Sequence, residues 1–212
     1  MAALDSHEQE QLEALKVWWH ENSSQVIGAL LIVVVAIGGW RGWQYYQHMQ
    51  ADEAATLYQQ FINQIESNDA KRVNDAAAAV MEKFASTAYA PRAALLAAQV
   101  NSQLKDTVRA KTQLQWVIDH AKEAGLKEVA RLRLAALQLD EKNYDSALNL
   151  LDAPHSPSFD GLYSDLRGDV LSAQGKTDEA RSAYKLAYEK TSAKNMYRSL
   201  IQMKLDALGA AK

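Results

Sequence analysis

The chain has 212 residues, a formal net charge of −3 and a sequence pI of about 6.0, which offers no basic face for nucleic acid, so no nucleic-acid partner is expected. Cysteine is absent, which excludes disulfides, cysteine nucleophiles and thiolate metal sites. Only 3 prolines and 9 glycines interrupt the chain, and four of the glycines (Gly28, Gly38, Gly39 and Gly42) fall in or beside one apolar run, so the remainder favours an all-α fold.

Residues 1–21 read as a short acidic tail. Asp5, Glu8, Glu10, Glu13 and Glu21 stand there against Lys16 alone. Residues 22–45 read as a transmembrane helix. Between Glu21 and Arg41 lie 19 uncharged residues, nine of them Val, Ile or Leu. As a helix they reach roughly 28 Å, close to the ~30 Å thickness of a bilayer's hydrocarbon. Val26, Leu30, Val34, Gly38 and Trp40 mark the span. Trp18 and Trp19 precede it, and Trp40, Trp43, Tyr45 and Tyr46 close it. Amphipathic rings prefer the headgroup level, so aromatic belts at both ends are a spanning signature. A core helix of a soluble protein has no use for them. A cleaved signal peptide needs a basic start and a small-residue cleavage site, and neither is present. Charge does not orient the span, because Lys16 on one side balances Arg41 on the other. Gly38 and Gly42 form a small-xxx-small pair of the kind that supports helix packing.

Beyond the span, small and apolar residues recur at a period near 34. Residues 51–86 read as a degenerate helix pair, with Leu57, Tyr58, Phe61, Ile62 and Ile65 as a helical stripe and Ala76 at the crossing. Residues 88–191 carry three clearer copies. Ala97, Ala98, Ala110, Leu114 and Val117 form the first. Leu134, Ala135, Leu139, Tyr144, Ala147 and Leu151 form the second. The third is Gly168, Leu171, Gly175, Ala180, Tyr184 and Ala187. Between the second and third, Asp152-Ala-Pro154-His-Ser-Pro157-Ser-Phe159-Asp-Gly161 cannot be a continuous helix. It reads as an inter-repeat loop, or alternatively as a partner-contacting loop anchored by Phe159. In residues 193–208, Tyr197, Leu200, Ile201, Lys204, Leu205 and Leu208 fit a capping helix over the last open apolar face.

No phosphate-binding, dinucleotide-binding, zinc-protease or nucleophile-elbow motif occurs, and no two of the five histidines stand at i+3 or i+4. His120 reads as the end of a repeat helix. No catalytic, cofactor or metal residue is assigned, and the chain is not expected to be an enzyme.

The helix–turn–helix pattern with small residues at its crossings resembles the tetratricopeptide repeat. The third copy is the closest match, while the second departs in having Gln138 where the family often has an aromatic. The resemblance implies an all-α solenoid of about three to four helix pairs with a C-terminal cap, preceded by one transmembrane helix. It also implies a concave partner-binding groove, and projects its inner positions onto Arg92, Gln99, Leu132, Ala136, Asp165 and Asp169.

The local sequence goes further. Val33-Val-Val-Ala-Ile-Gly-Gly-Trp40-Arg41-Gly-Trp43 resembles the membrane-exit segment of the bacterial YfgM family. Ser164-Asp-Leu-Arg-Gly168-Asp, Gly175-Lys and Ala180-Arg-Ser-Ala resemble that family's last repeat. The resemblance implies an ancillary subunit of the Sec translocon in the inner membrane, with the N-terminus in the cytoplasm and the repeats in the periplasm. The implied partners are Sec translocon subunits, a membrane-anchored periplasmic chaperone of the parvulin type, and secreted or outer-membrane client proteins. The function expected is a membrane-anchored adaptor. The alternative is a stand-alone periplasmic holdase for unfolded envelope proteins.

Overall fold

A computed structural model of the chain describes residues 6–66 and 69–209, with side chains from residue 10 onward. The start of the acidic tail, residues 1–5, lies outside the described residues, as do positions 67 and 68 within the first helix pair. The described residues hold nine α-helices and no strand. They fall into two units, residues 1–50 and residues 51–212.

The first unit is helical from Ser6 as the beginning of α1 (Ser6–Ile65). Among the described residues no protein covers its apolar side chains. Leu30, Val34 and Trp40 stand 57–65% exposed, and Val26 is half-buried within its own helix. A methyl group added at Gly38 would meet nothing. A core helix would be covered, so this one needs an apolar solvent, and its length and composition suit a bilayer. Trp43 and Tyr46 stack obliquely, 6.4 Å apart, at its exit.

The second unit contains the last turns of α1 and the helices α2 (Ala70–Lys83), α3 (Tyr89–Gln103), α4 (Thr107–His120), α5 (Ala124–Asp140), α6 (Tyr144–Leu151), α7 (Asp160–Ala173), α8 (Thr177–Lys190) and α9 (Tyr197–Ala207). Its core is a string of four clusters in chain order. The first joins Phe61 of α1 to Val73, Ala77 and Val80 of α2 and Ala90, Ala93 and Ala97 of α3. The second joins α3, α4 and α5 through Ala98, Ala110, Leu114, Val117 and Leu134. The third joins α5, α6 and α7 through Ala135, Ala147, Leu151, Tyr163 and Val170. The fourth joins α7, α8 and α9 through Leu171, Ala180, Tyr184, Ala187 and Ile201. Each helix pair buries its apolar stripe against the next, which is how a repeat array is stabilised. The all-α solenoid with one long apolar N-terminal helix and a capping helix is therefore the fold the sequence predicts.

Three turns fix the repeat register. Lys105, Lys142 and Gly175 each adopt a left-handed conformation, with φ of 63°, 62° and 77°. After each, a backbone N–H closes onto the carbonyl five residues back: Asp106 to Asn101, Asn143 to Gln138, and Lys176 to Leu171, at 2.8–3.0 Å. This is the Schellman ending of a helix. Each turn stands five residues before a wholly buried crossing alanine: Ala110, Ala147 and Ala180. Those alanines let the paired helices approach closely. In α2 the wholly buried alanine is Ala77, with the expected Ala76 half-buried beside it. The register of α2 starts from Asp69, whose carboxylate accepts the N–H groups of Lys71 and Arg72.

Candidate partner-binding groove

The first helix of each pair, α3, α5 and α7, packs beside the next, so these three line one face of the array. Between α3 and α5 this face opens into a cleft of about 270 Å³. Its floor is Ala98, Leu114, Ala136 and Leu137. Its rim carries Gln99, Ser102, Arg133 and Asp140. Arg133 and Asp140 stand two turns apart on α5, roughly 10 Å along the axis. An apolar floor with a sparse polar rim suits a side chain of a peptide or helix. Arg133 already donates across the cleft to the Leu95 carbonyl at 3.2 Å, which ties α5 to α3.

The six projected groove residues fall in different settings. Gln99 and Ala136 come together in this cleft. Arg92 forks onto the Glu123 carboxylate, at 2.9 and 3.0 Å, and its guanidinium also donates to the Ala88 carbonyl. It staples the start of α3 to the segment entering α5. Leu132 packs half-buried into the cluster beneath α5, α6 and α7. Asp165 and Asp169 come together one turn apart on α7, but under α9. The Lys204 ammonium of α9 donates to Asp165 at 2.7 Å and to Asp169 at 2.8 Å. The Tyr197 hydroxyl donates to Asp165, and the Tyr184 hydroxyl donates to Asp169 at 2.7 Å. Asp165 is 1% exposed.

This cluster changes how its members hold protons. Burial, and then the hydrogen bond to Asp169, pushes the Tyr184 phenol far up. Burial and the bond to Asp165 do the same to Tyr197. Burial alone would lower Lys204, yet the bonds to Asp165 and Asp169 overcome it and raise the ammonium. The seat thus keeps two neutral phenols and one cation around two carboxylates. Periodicity exposes the partners only faintly: Asp165 and Asp169 stand at i+4, and Tyr197 and Lys204 at i+7, each pair on one helix face.

The loop between α6 and α7 is tied inward. The buried Glu128 carboxylate accepts the Ser156 N–H at 2.7 Å and its hydroxyl at 3.0 Å. His155 stacks on Tyr163 at 3.9 Å, and Phe159 meets the same ring edge-on at 6.5 Å. Phe159 is therefore partly buried against α7. His120 is the last residue of α4 and stacks on Trp116 at 4.4 Å.

A family profile described as a tetratricopeptide repeat-like domain matches residues 16–210. Three curated proteins of similar sequence share one name, "Ancillary SecYEG translocon subunit". That of Escherichia coli is 30% identical, over 95% of this chain and 97% of its own length. That of Haemophilus influenzae is 29% identical, over 97% and 100%. That of Neisseria gonorrhoeae is 28% identical, over 95% and 97%. No solved structure matches the chain.

Proposed function

We propose, from the premise that this chain belongs to the YfgM family of ancillary SecYEG translocon subunits with a tetratricopeptide repeat-like domain, that it is a protein–protein adaptor of the Sec translocon. It sits in the inner membrane by its single apolar helix, with the N-terminus in the cytoplasm and the repeats in the periplasm. It links the channel to a membrane-anchored parvulin-type chaperone and to emerging secreted or outer-membrane proteins. One observation carries this reading. The chain joins an uncovered apolar helix to a repeat domain with an open cleft between α3 and α5. A membrane anchor holds such a cleft at the channel without any chemistry of its own. Tethering by a short link raises the effective concentration of a weak partner to roughly millimolar. That is the advantage of an adaptor over a free binding protein.

The missing cysteines make orientation measurable. Ser146 and Gln11 are exposed, one in the repeats and one before the span. Ser146→Cys and Gln11→Cys would be treated separately, in intact cells, with a thiol reagent that cannot cross the inner membrane. Labelling at position 146 alone supports periplasmic repeats. Labelling at position 11 alone puts the repeats in the cytoplasm and ends the chaperone reading. Photocrosslinkers along residues 26–40 should then reach channel subunits, and silence at every position would remove the translocon from the proposal.

A further inference from the structure

Helix α9 is held to the array by a short apolar contact and a set of polar ones. Ile201 is its one wholly buried side chain among the described residues. Tyr197, Leu205 and Leu208 are only partly covered. Its further contacts include Lys204 and Tyr197 on the carboxylates of α7, Arg181 of α8 donating to the Leu208 carbonyl at 3.0 Å, and the Arg198 guanidinium 3.9 Å over the Tyr188 ring of α8. Its outer side leaves Met196, Leu200 and Met203 40–89% exposed. The link before it, residues 192–196, is exposed throughout. A helix of 11 residues does not stand alone in water, so α9 forms only while it is docked. Its dock is the last pair, where it lies against α8 and reaches the Asp165 and Asp169 carboxylates of α7.

The seat is incompletely filled. Asp165 is buried, yet its Oδ1 atom has no hydrogen-bond partner among the described residues, because the Lys204 ammonium and the Tyr197 hydroxyl both converge on Oδ2. An ammonium is a point donor, whereas a planar guanidinium can bridge both oxygens of one carboxylate.

From this geometry we infer that Asp165 and Asp169 form the receptor for an amphipathic partner helix bearing an arginine, and that α9 is a displaceable resident occupying that seat. The partner repeats the pattern of α9 on one face: an aromatic, then an aliphatic four residues on, then the cation three residues beyond. Displacement exposes the fourth core cluster to the incoming helix, so the aliphatic positions replace Ile201. This deepens the adaptor reading and rests on it for the identity of the partner, though the seat itself is a property of α7.

The test uses the full chain in detergent and a fluorescent peptide copying its residues 195–209. Because an occupied seat lowers apparent affinity by the fraction that is open, loosening α9 must tighten the peptide. The full-length Lys204→Met variant should bind the peptide at least tenfold tighter than the unaltered chain does. A peptide carrying K204R should bind it tighter still. Adding Asp165→Asn and Asp169→Asn to the Lys204→Met chain should abolish both. If Lys204→Met fails to fold by circular dichroism, Ile201→Asp loosens the same helix and carries the same expectation. Equal affinity of the loosened and unaltered chains overturns the inference, as does binding indifferent to Asp165 and Asp169. A loosened chain that dimerises, and is dissociated by the peptide, assigns the seat to a second copy and also overturns it. Cytoplasmic repeats in the labelling experiment would sink the translocon reading yet leave this binding result intact. Channel crosslinks without peptide binding would sink this inference alone.

Discussion

Tyr184 packs its ring against Gly168 so closely that a methyl group there would stand 2.5 Å from the ring. The ring cannot step aside. It is buried, and its hydroxyl is held by Asp169. Gly168→Ala therefore forces an overpacked crossing of α7 and α8. The expected loss is about 1–3 kcal/mol, net of alanine's better helix propensity. Gly125→Ala is the control, because a methyl group on Gly125 in α5 meets nothing. Urea titration of both variants checks the pair: only the first should lower the midpoint.

The left-handed turns give a prediction of opposite sign. Lys105 and Lys142 hold a conformation that the third repeat gives to a glycine, Gly175. A side chain there costs about 1 kcal/mol relative to glycine. Among the described residues neither lysine has a salt bridge that its removal would sacrifice. Lys105→Gly and Lys142→Gly should each raise stability by about 0.5–1 kcal/mol, and Gly175→Ala should lower it by a similar amount. Thermal melts of the three single variants read this directly. A destabilising Lys105→Gly would mean that unfolded-state entropy outweighs the strain.

Asn101, 1% exposed, links three helices through amide groups alone. It exchanges hydrogen bonds with Asn74 of α2 at 2.7 and 3.0 Å and donates to Gln113 of α4 at 2.8 Å. Gln113 donates back to Asn74 at 3.0 Å. Asn101→Ala leaves two half-buried amides short of partners. A loss of about 1–3 kcal/mol is expected, from unsatisfied polar groups more than from lost volume. Asn74→Ala made in the Asn101→Ala background should then cost less than it does alone, since the pair is already broken. A double-mutant cycle by denaturant melt measures that coupling.

What the sequence revealed and what it hid divide along a physical line. Ala110, Ala147 and Ala180 were legible because packing of stacked pairs imposes a period, and a period survives in one sequence. The apolar span with its tryptophans was legible because a bilayer sets both length and flanks. Asn74, Asn101 and Gln113 were not legible, because a polar contact between α2, α3 and α4 leaves no regular spacing. Asp165 was read as an open groove position for a related reason. A repeat projection assigns it to the groove, but it cannot say that Lys204, 39 residues on, returns to cover it. Phe159 looked free among prolines, yet Glu128 and Tyr163 draw its loop inward.

Alkaline pH should release α9 before the rest of the array. Tyr184 and Tyr197 ordinarily ionise near 10.0 and Lys204 near 10.5, and all three are held above those values in the folded chain. A group raised on folding contributes stability that is fully present below its unfolded value and is lost as pH rises through its folded one. The folded chain keeps these protons where the unfolded one sheds them, so stability falls as pH climbs above about 10. Below about pH 9 the same groups contribute no slope. Helix α9 packs on the last pair, so loss there need not unravel α2 to α6. Tyrosinate absorbance and far-ultraviolet circular dichroism, followed together from pH 8 to pH 12, should show a small early helical loss. Tyr197→Phe removes one of the titrating groups and should flatten that first step, leaving the later global transition in place. An early step of the same size in Tyr197→Phe and Lys204→Met alike would mean that the alkaline weakness lies outside the α7–α9 seat.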